Sequence, residues 1–305
     1  MPFKLNAYLP SLQAEVQIKE LYYKQYRELV KSLYNTDKKE TIQQYNSILQ
    51  DLCSDILDKD ITFEDKLSLL LTVRNYCVSP DLNLKCTLPG NNTFTYTTTV
   101  ETLLQLIKAI NKSSTLEWNG ISVSFSSYKA RDEHVFLSNN NDIFVVLASY
   151  IDSIKINNET VIFKDFTLEN RLQIVYSLPH ALCNQVYQNI LTIEEKYEEE
   201  DLLVIVNPAN KEPVLRMSKN ITCQSMQKLI EYNFTENLNN IYRAFYNMVR
   251  YAGFSPEYID TITPVEMQVY WMYYAQDNEK TSENKNDTGG LNLPAGGSLN
   301  SELGF

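Results

Sequence analysis

Residues 62–86 constrain the fold more than any other stretch of this chain. They begin Thr62-Phe63-Glu64-Asp65-Lys66-Leu67-Ser68-Leu69-Leu70-Leu71-Thr72-Val73-Arg74-Asn75-Tyr76-Cys77 and run through Val78-Ser79-Pro80 into Asp81-Leu82-Asn83-Leu84-Lys85-Cys86. Thr62 is suited to cap a helix, and Glu64 and Asp65 suit the positive end of its dipole. The helix that follows is apolar on nearly all sides, which marks an element surrounded by protein. Pro80 stops it. Leu82, Leu84 and Cys86 then alternate with polar residues, the period of a strand. This is a packed scaffold helix feeding a strand, and it names no reaction.

The rest of the chain reads as α+β, helices interleaved with short hairpins. Leu12, Ala14, Val16 and Ile18 alternate as a strand, and Tyr22, Tyr26, Leu29, Val30 and Leu33 then share a helical face. Ile42, Tyr45, Leu49, Leu52 and Ile56 mark a second helix. Pro89-Gly90-Asn91-Asn92 is a turn that returns the 82–86 strand as Phe94–Val100, a hairpin. A helix around Leu103–Ile110 and a strand at 121–125 follow. Beyond 142 the pattern predicts a helix from Ile143 and a hairpin of 154–156 with 161–163. Helices over 167–177 and 180–199 come next, then a hairpin of 202–206 with 214–217. One long helix is expected over 222–251 with Gly253 as its stop, and a last one over 264–276. The expected division is an α+β region 1–138, a mainly helical region 142–277 with two hairpins, and a flexible Gly/Asn/Ser-rich tail 278–305.

Composition excludes several classes of function. The net charge is −11, with 15 basic against 16 acidic residues in 1–141 and 12 against 22 in 142–305. A chain this acidic, without a basic patch, does not suit nucleic acid or an anionic membrane. No apolar run reaches the length of a membrane span, and the amino terminus lacks a signal-peptide pattern. Five scattered cysteines fit reduced thiols in a cytosol. Of eight glycines, five fall in the last 17 residues, leaving no GxGxxG and no GxxxxGK[ST] to cradle a phosphate.

The chemistry-bearing residues give no catalytic constellation, no metal site and no cofactor. His134 and His180 are isolated. Cys86 lacks the CxxC partner that a zinc knuckle needs. The acid run Glu194, Glu195, Glu198, Glu199, Glu200 and Asp201 lacks calcium-loop spacing and reads as a solvated helix end. Its position opposes the helix dipole and hints at neutralisation by a basic partner. Two features are candidates for contact with a partner. Arg74 shares a face with Leu67, Leu70 and Leu71, and a structural ion pair with a distant acid is the favoured reading. Met267, Tyr270, Trp271 and Tyr274 form a stripe at i, i+3, i+4, i+7, read first as core and second as an interface.

Four stretches give the chain a family likeness. They are Leu9-Pro10 followed by Ala14–Leu21, Phe63–Arg74, Leu84-Lys85-Cys86 with Phe94–Val100, and Phe166–Arg171 continuing to Leu178-Pro179. Over roughly residues 8–180 the chain resembles the T4-type phage baseplate hub family of myovirus contractile tails. Members of that family often carry a cysteine-rich knuckle at the hairpin, of which this chain keeps Cys86. The resemblance implies a non-enzymatic virion protein of the tail baseplate, a hub subunit or hub-assembly protein made in the host bacterial cytoplasm. Its partners would be other tail and baseplate proteins, in an assembly that can hold several copies. Two other readings stay open: a non-virion chaperone for a tail protein such as the tape measure, and an enzyme with an unrecognised site.

Overall fold

A computed structural model describes residues 4–34, 38–57, 60–88, 93–133, 142–157, 159–234 and 236–285. Helices make up 53% of it and strands 24%, an α+β architecture. Among the described residues the strands form four separate antiparallel units: three two-stranded hairpins and one four-stranded meander.

The first hairpin pairs β1 (Lys4–Leu9) with β2 (Ala14–Lys19). Leu5, Ala7 and Leu9 alternate as regularly as the residues of β2, and Gln13 takes the left-handed φ of 49° that closes the turn. The sequence pattern had pointed to β2 alone. Two helices follow, α1 (Tyr23–Ser32) and α2 (Lys38–Leu57), the latter kinked at Cys53.

The 62–77 stretch is α3 (Phe63–Cys77), and its residues from Phe63 to Arg74 are all buried. Its cap does more than end a helix. Asp65 accepts from Thr62 N at 2.8 Å, from Ser11 N at 3.0 Å and from Ser11 Oγ at 2.5 Å. Ser68 Oγ donates to Tyr8 O at 2.5 Å. The N-terminal turns of α3 therefore hold the β1–β2 hairpin by part-buried hydrogen bonds to Ser11 and to the Tyr8 carbonyl. Leu67, Leu69, Leu70 and Leu71 are at most 1% exposed, each contributing about 1.5–3 kcal/mol of burial.

The predicted hairpin is β3 (Asp81–Thr87) with β4 (Thr93–Thr99), Cys86 opposite Phe94. Thr99 caps α4 (Val100–Lys108). The meander then runs β5 (Ser114–Trp118), β6 (Ile121–Phe125), β7 (Ile151–Ile156) and β8 (Glu159–Ile162), with α5 (Ile143–Tyr150) between β6 and β7. Asn119 and Gly120 both have positive φ, 45° and 82°, between the paired Trp118 and Ile121. That is a two-residue primed hairpin turn, for which Asn-Gly is the favoured pair. β6, before the 138–142 stretch, pairs with β7 beyond it; residues 138–141 and His134 lie outside the described residues.

Two helices, α6 (Leu168–Tyr176) and α7 (His180–Glu199), lead to the hairpin β9 (Asp201–Val206) with β10 (Pro213–Ser218). Arg171 of α6 is 2% exposed and forks onto Asp132, both contacts at 2.7 Å, while also donating to Ala148 O at 2.7 Å. One guanidinium thus joins α6, the turn at 130–132 and α5.

The expected single helix over 222–251 is two, α8 (Cys223–Asn233) and α9 (Leu238–Arg250). Phe234 leaves the helical path to bury itself, 1% exposed, against Tyr26 with ring centroids 5.9 Å apart. Asn237 then caps the new helix through Asn239 N at 2.8 Å. Gly253, φ +76°, lies past the end of α9. A short α10 (Pro256–Ile259) had no counterpart in the expected elements. The last helix, α11, spans Pro264–Lys285 and so extends past 276 into the stretch expected to be flexible. Residues 286–305 lie outside the described residues.

Candidate protein-binding face

The C-terminal helices are seated mainly on α1. Tyr23 N donates to Ile262 O at 2.7 Å, and Tyr23 Oη to Ile241 O at 3.1 Å. Arg27 pairs with Asp260 at 3.1 Å and lies over the Phe245 ring at 4.5 Å. These contacts fix how α9, α10 and α11 present their outer faces.

α11 starts at a capping box: Thr263 N donates to Glu266 Oε2 at 2.7 Å and Glu266 N to Thr263 Oγ1 at 3.3 Å, with Pro264 at the first helical position. That start sets its rotation. Met267 is 2% exposed, and Tyr270, Trp271 and Tyr274 are half-buried against the core. Tyr270 packs on Phe254 at 5.3 Å and shares a 3.1 Å hydrogen bond with Tyr258. The stripe singled out in the sequence faces inward. The opposite side carries a second one, Val265, Val269, Met272 and Tyr273, at i, i+4, i+7, i+8, with exposures of 36, 41, 58 and 62%. An amphipathic helix would carry polar residues there. The signal for this outer stripe was available in the spacing, but the inner stripe has the larger aromatics and masks it.

Arg74 is 8% exposed, and its Nη2 donates to Asp81 O at 2.9 Å. A backbone carbonyl, and not the expected acid, is its direct partner. Among the described residues its Nε has no hydrogen-bond partner. Glu236, just before α9, acts as a more distant counter-charge, felt also by the Tyr26 hydroxyl. Burial raises the Glu236 carboxyl above the usual carboxylate range, against the pull of Tyr26 and Arg74. A raised folded value means that folding favours the protonated form. The stabilisation is complete below the unfolded value, about 4.3, and is lost as pH rises through the folded one. Glu236→Gln removes that titration. Its Tm relative to the parent protein is expected to be higher at pH 8 than at pH 4. Thermal melts at both values check this, and a difference that stays constant or falls contradicts it.

Part of the acid run at the end of α7 is met within the chain. Glu194 binds the Tyr150 hydroxyl, and Arg216 of β10 binds Asp201 and donates to Glu199 O at 2.7 Å. Ser218 Oγ reaches Glu198 at 2.8 Å, and Lys219 reaches Glu200 at 2.9 Å, which holds the Glu200 carboxyl below its usual range. Arg216 on the β9–β10 hairpin and Lys219 just after it thus bring cations to Asp201 and Glu200, so part of the neutralisation that the sequence suggested a partner might bring is internal.

Burial pushes the thiol of Cys53 up to about 12 and that of Cys77 up to about 11, and it also raises Cys86 and Cys183. Such thiols stay protonated at neutral pH. No cluster of three His, Cys, Asp or Glu residues among the described residues could hold a metal. A polar cavity of about 30 Å³ sits beside the buried Glu64–Lys112 pair, whose contact is 2.9 Å; its volume is that of about one water molecule. No helix among the described residues is long and apolar enough to cross a membrane.

A family model described as "T4 bacteriophage base plate protein" matches residues 2–199, from β1 to the last residue of α7. The chain belongs to this T4-type phage baseplate family. No curated protein and no solved structure matches it. Membership makes it a structural protein of the phage baseplate, in contact with other baseplate proteins. The family match ends just before β9, so α9 and the outer stripe of α11 lie wholly beyond it.

Proposed function

We propose that the protein is a hub subunit of a contractile-tail baseplate and acts by protein–protein binding, not by turnover. The outer stripe of α11 carries this reading. Val265, Val269, Met272 and Tyr273 form a continuous apolar face on a helix held firmly by α1 and its own capping box. Faces of this kind mark interaction sites in soluble proteins. The family-matched stretch then serves as the scaffold, and the helices beyond it as the docking element. The partners are proteins of the same tail, and nucleic acid and membrane are not among them.

The chaperone reading drew on the acidic second half, part of whose acid run is bound by Arg216, Lys219, Ser218 and Tyr150. Mass spectrometry of purified tails separates the two roles. A hub subunit is expected as a stoichiometric tail component, and a phage lacking the gene is expected to build no complete baseplate. Normal tails from the deletion would overturn the proposal. Absence from tails that nonetheless require the gene would transfer the role to assembly.

A further inference from the structure

The arginines of this chain are used sparingly and almost all are tied down. There are seven. Arg27 pairs with Asp260, Arg131 with Asp60, Arg171 with Asp132 and Arg216 with Asp201, and Arg74 binds the Asp81 carbonyl. Arg243 and Arg250 are exposed on α9, and among the described residues neither has an ion-pair partner. In a chain of net charge −11 carboxylates are plentiful, so two free guanidiniums on one helix call for an explanation. Arg250 suits the negative end of the α9 dipole. That accounts for one of them and not for Arg243.

Their neighbours supply the rest. Tyr242 and Tyr246 lie one turn apart on the same face, 40 and 57% exposed. Tyr251, 63% exposed, packs edge-on against Tyr246 with centroids 6.2 Å apart. Positions 242, 243, 246 and 250 fall within one stripe of the helical surface. Tyrosine and arginine are the residue types that dominate binding energy at interfaces. The buried side of α9, with Ile241 and Met248, faces the core, so this stripe is free for a partner.

We propose that the outer face of α9 binds an acidic protein segment, with Arg243 and Arg250 each pairing a carboxylate and the three tyrosines covering the apolar surface between. The spacing defines the partner. Seven residues of helix place the two guanidiniums about 10 Å apart, which matches Asp or Glu at i and i+7 of a facing helix. Planar guanidiniums favour carboxylates in bidentate geometry. The site is independent of the α11 stripe, and it rests on the baseplate reading only for which protein supplies the segment.

The test uses the full chain and a labelled helical peptide carrying Glu at i and i+7 with Leu between, beside its Gln twin. Anisotropy at low ionic strength is expected to show a roughly tenfold preference for the Glu peptide. The double charge reversal Arg243→Glu with Arg250→Glu, and the double Gln variant in case the reversal perturbs folding, should abolish that preference without changing Tm. Tyr246→Ala should weaken binding of both peptides. Equal binding of the two peptides, or a preference that survives in the variants, overturns the proposal. So does a single-stranded thymine oligonucleotide retained by the parent protein and released by the double Gln variant, which would make this a nucleic-acid site. If these results fail while the protein is found in tails, the baseplate reading stands; if it is absent from tails but the preference holds, the α9 site stands.

Discussion

Replacing Arg171 by Met is expected to destabilise the protein by about 3–5 kcal/mol, a drop in Tm of roughly 6–15 °C. The guanidinium is 2% exposed and makes two 2.7 Å contacts with Asp132 and a third with Ala148 O. Methionine fills much of the volume and supplies none of the donors. Asp132, with a side chain 3% exposed, would then keep only the distant Arg131 contact at 3.7 Å. The cost comes from stranding a buried carboxylate more than from losing an attraction, because a buried pair must first recover its own desolvation. The double variant Arg171→Met with Asp132→Leu should therefore recover at least about half of the loss. Arg171→Lys should not rescue, since an ammonium cannot fork onto the carboxylate and reach Ala148 together. Chemical denaturation of the three variants checks the prediction. A single variant within about 1 kcal/mol of the parent protein, or a double that is merely additive, would contradict it.

Much of the fold can be read from local pattern because its elements are short and carry their own punctuation. Thr62 capping α3, Pro80 ending it, and Asn157 and Asn207 at hairpin turns are signals of this kind. Elsewhere a distant residue decides. The helix over 222–251 breaks because Phe234 is drawn onto Tyr26, more than two hundred positions earlier in the chain. β5 is faint for a local reason: although Asn119-Gly120 announces its hairpin, Ser114–Trp118 carries only Leu116 and Trp118 as inward apolar residues. Arg171 gave no local warning of its burial, since its partner Asp132 lies on another element. For the proposed binding face, the sequence pattern picks out α11 by its inner side. Period alone cannot say which of two apolar stripes turns to the core; the Thr263–Glu266 box and the seat on α1 determine that.

The second large effect concerns assembly. Val269→Glu, Met272→Glu and Tyr273→Glu combined should leave the fold intact, because all three side chains are largely exposed and glutamate is a good helix former. If a partner covers them, burying the part of each side chain now exposed contributes about 1 kcal/mol apiece. Their joint loss should weaken association by about 3 kcal/mol, upwards of a hundredfold, before the repulsion of three desolvated carboxylates is added. No comparable effect is expected from Tyr176→Glu, a control on α6 that is as exposed as Met272 but has no exposed apolar helical neighbours. The direct measurement is the copy number of the protein in tails purified from cells infected with phage carrying the triple variant, alongside a thermal melt of the isolated variant. The expected result is a normally folded protein missing from the tails. A folded triple variant present at the parental copy number, in tails that assemble normally, would contradict it.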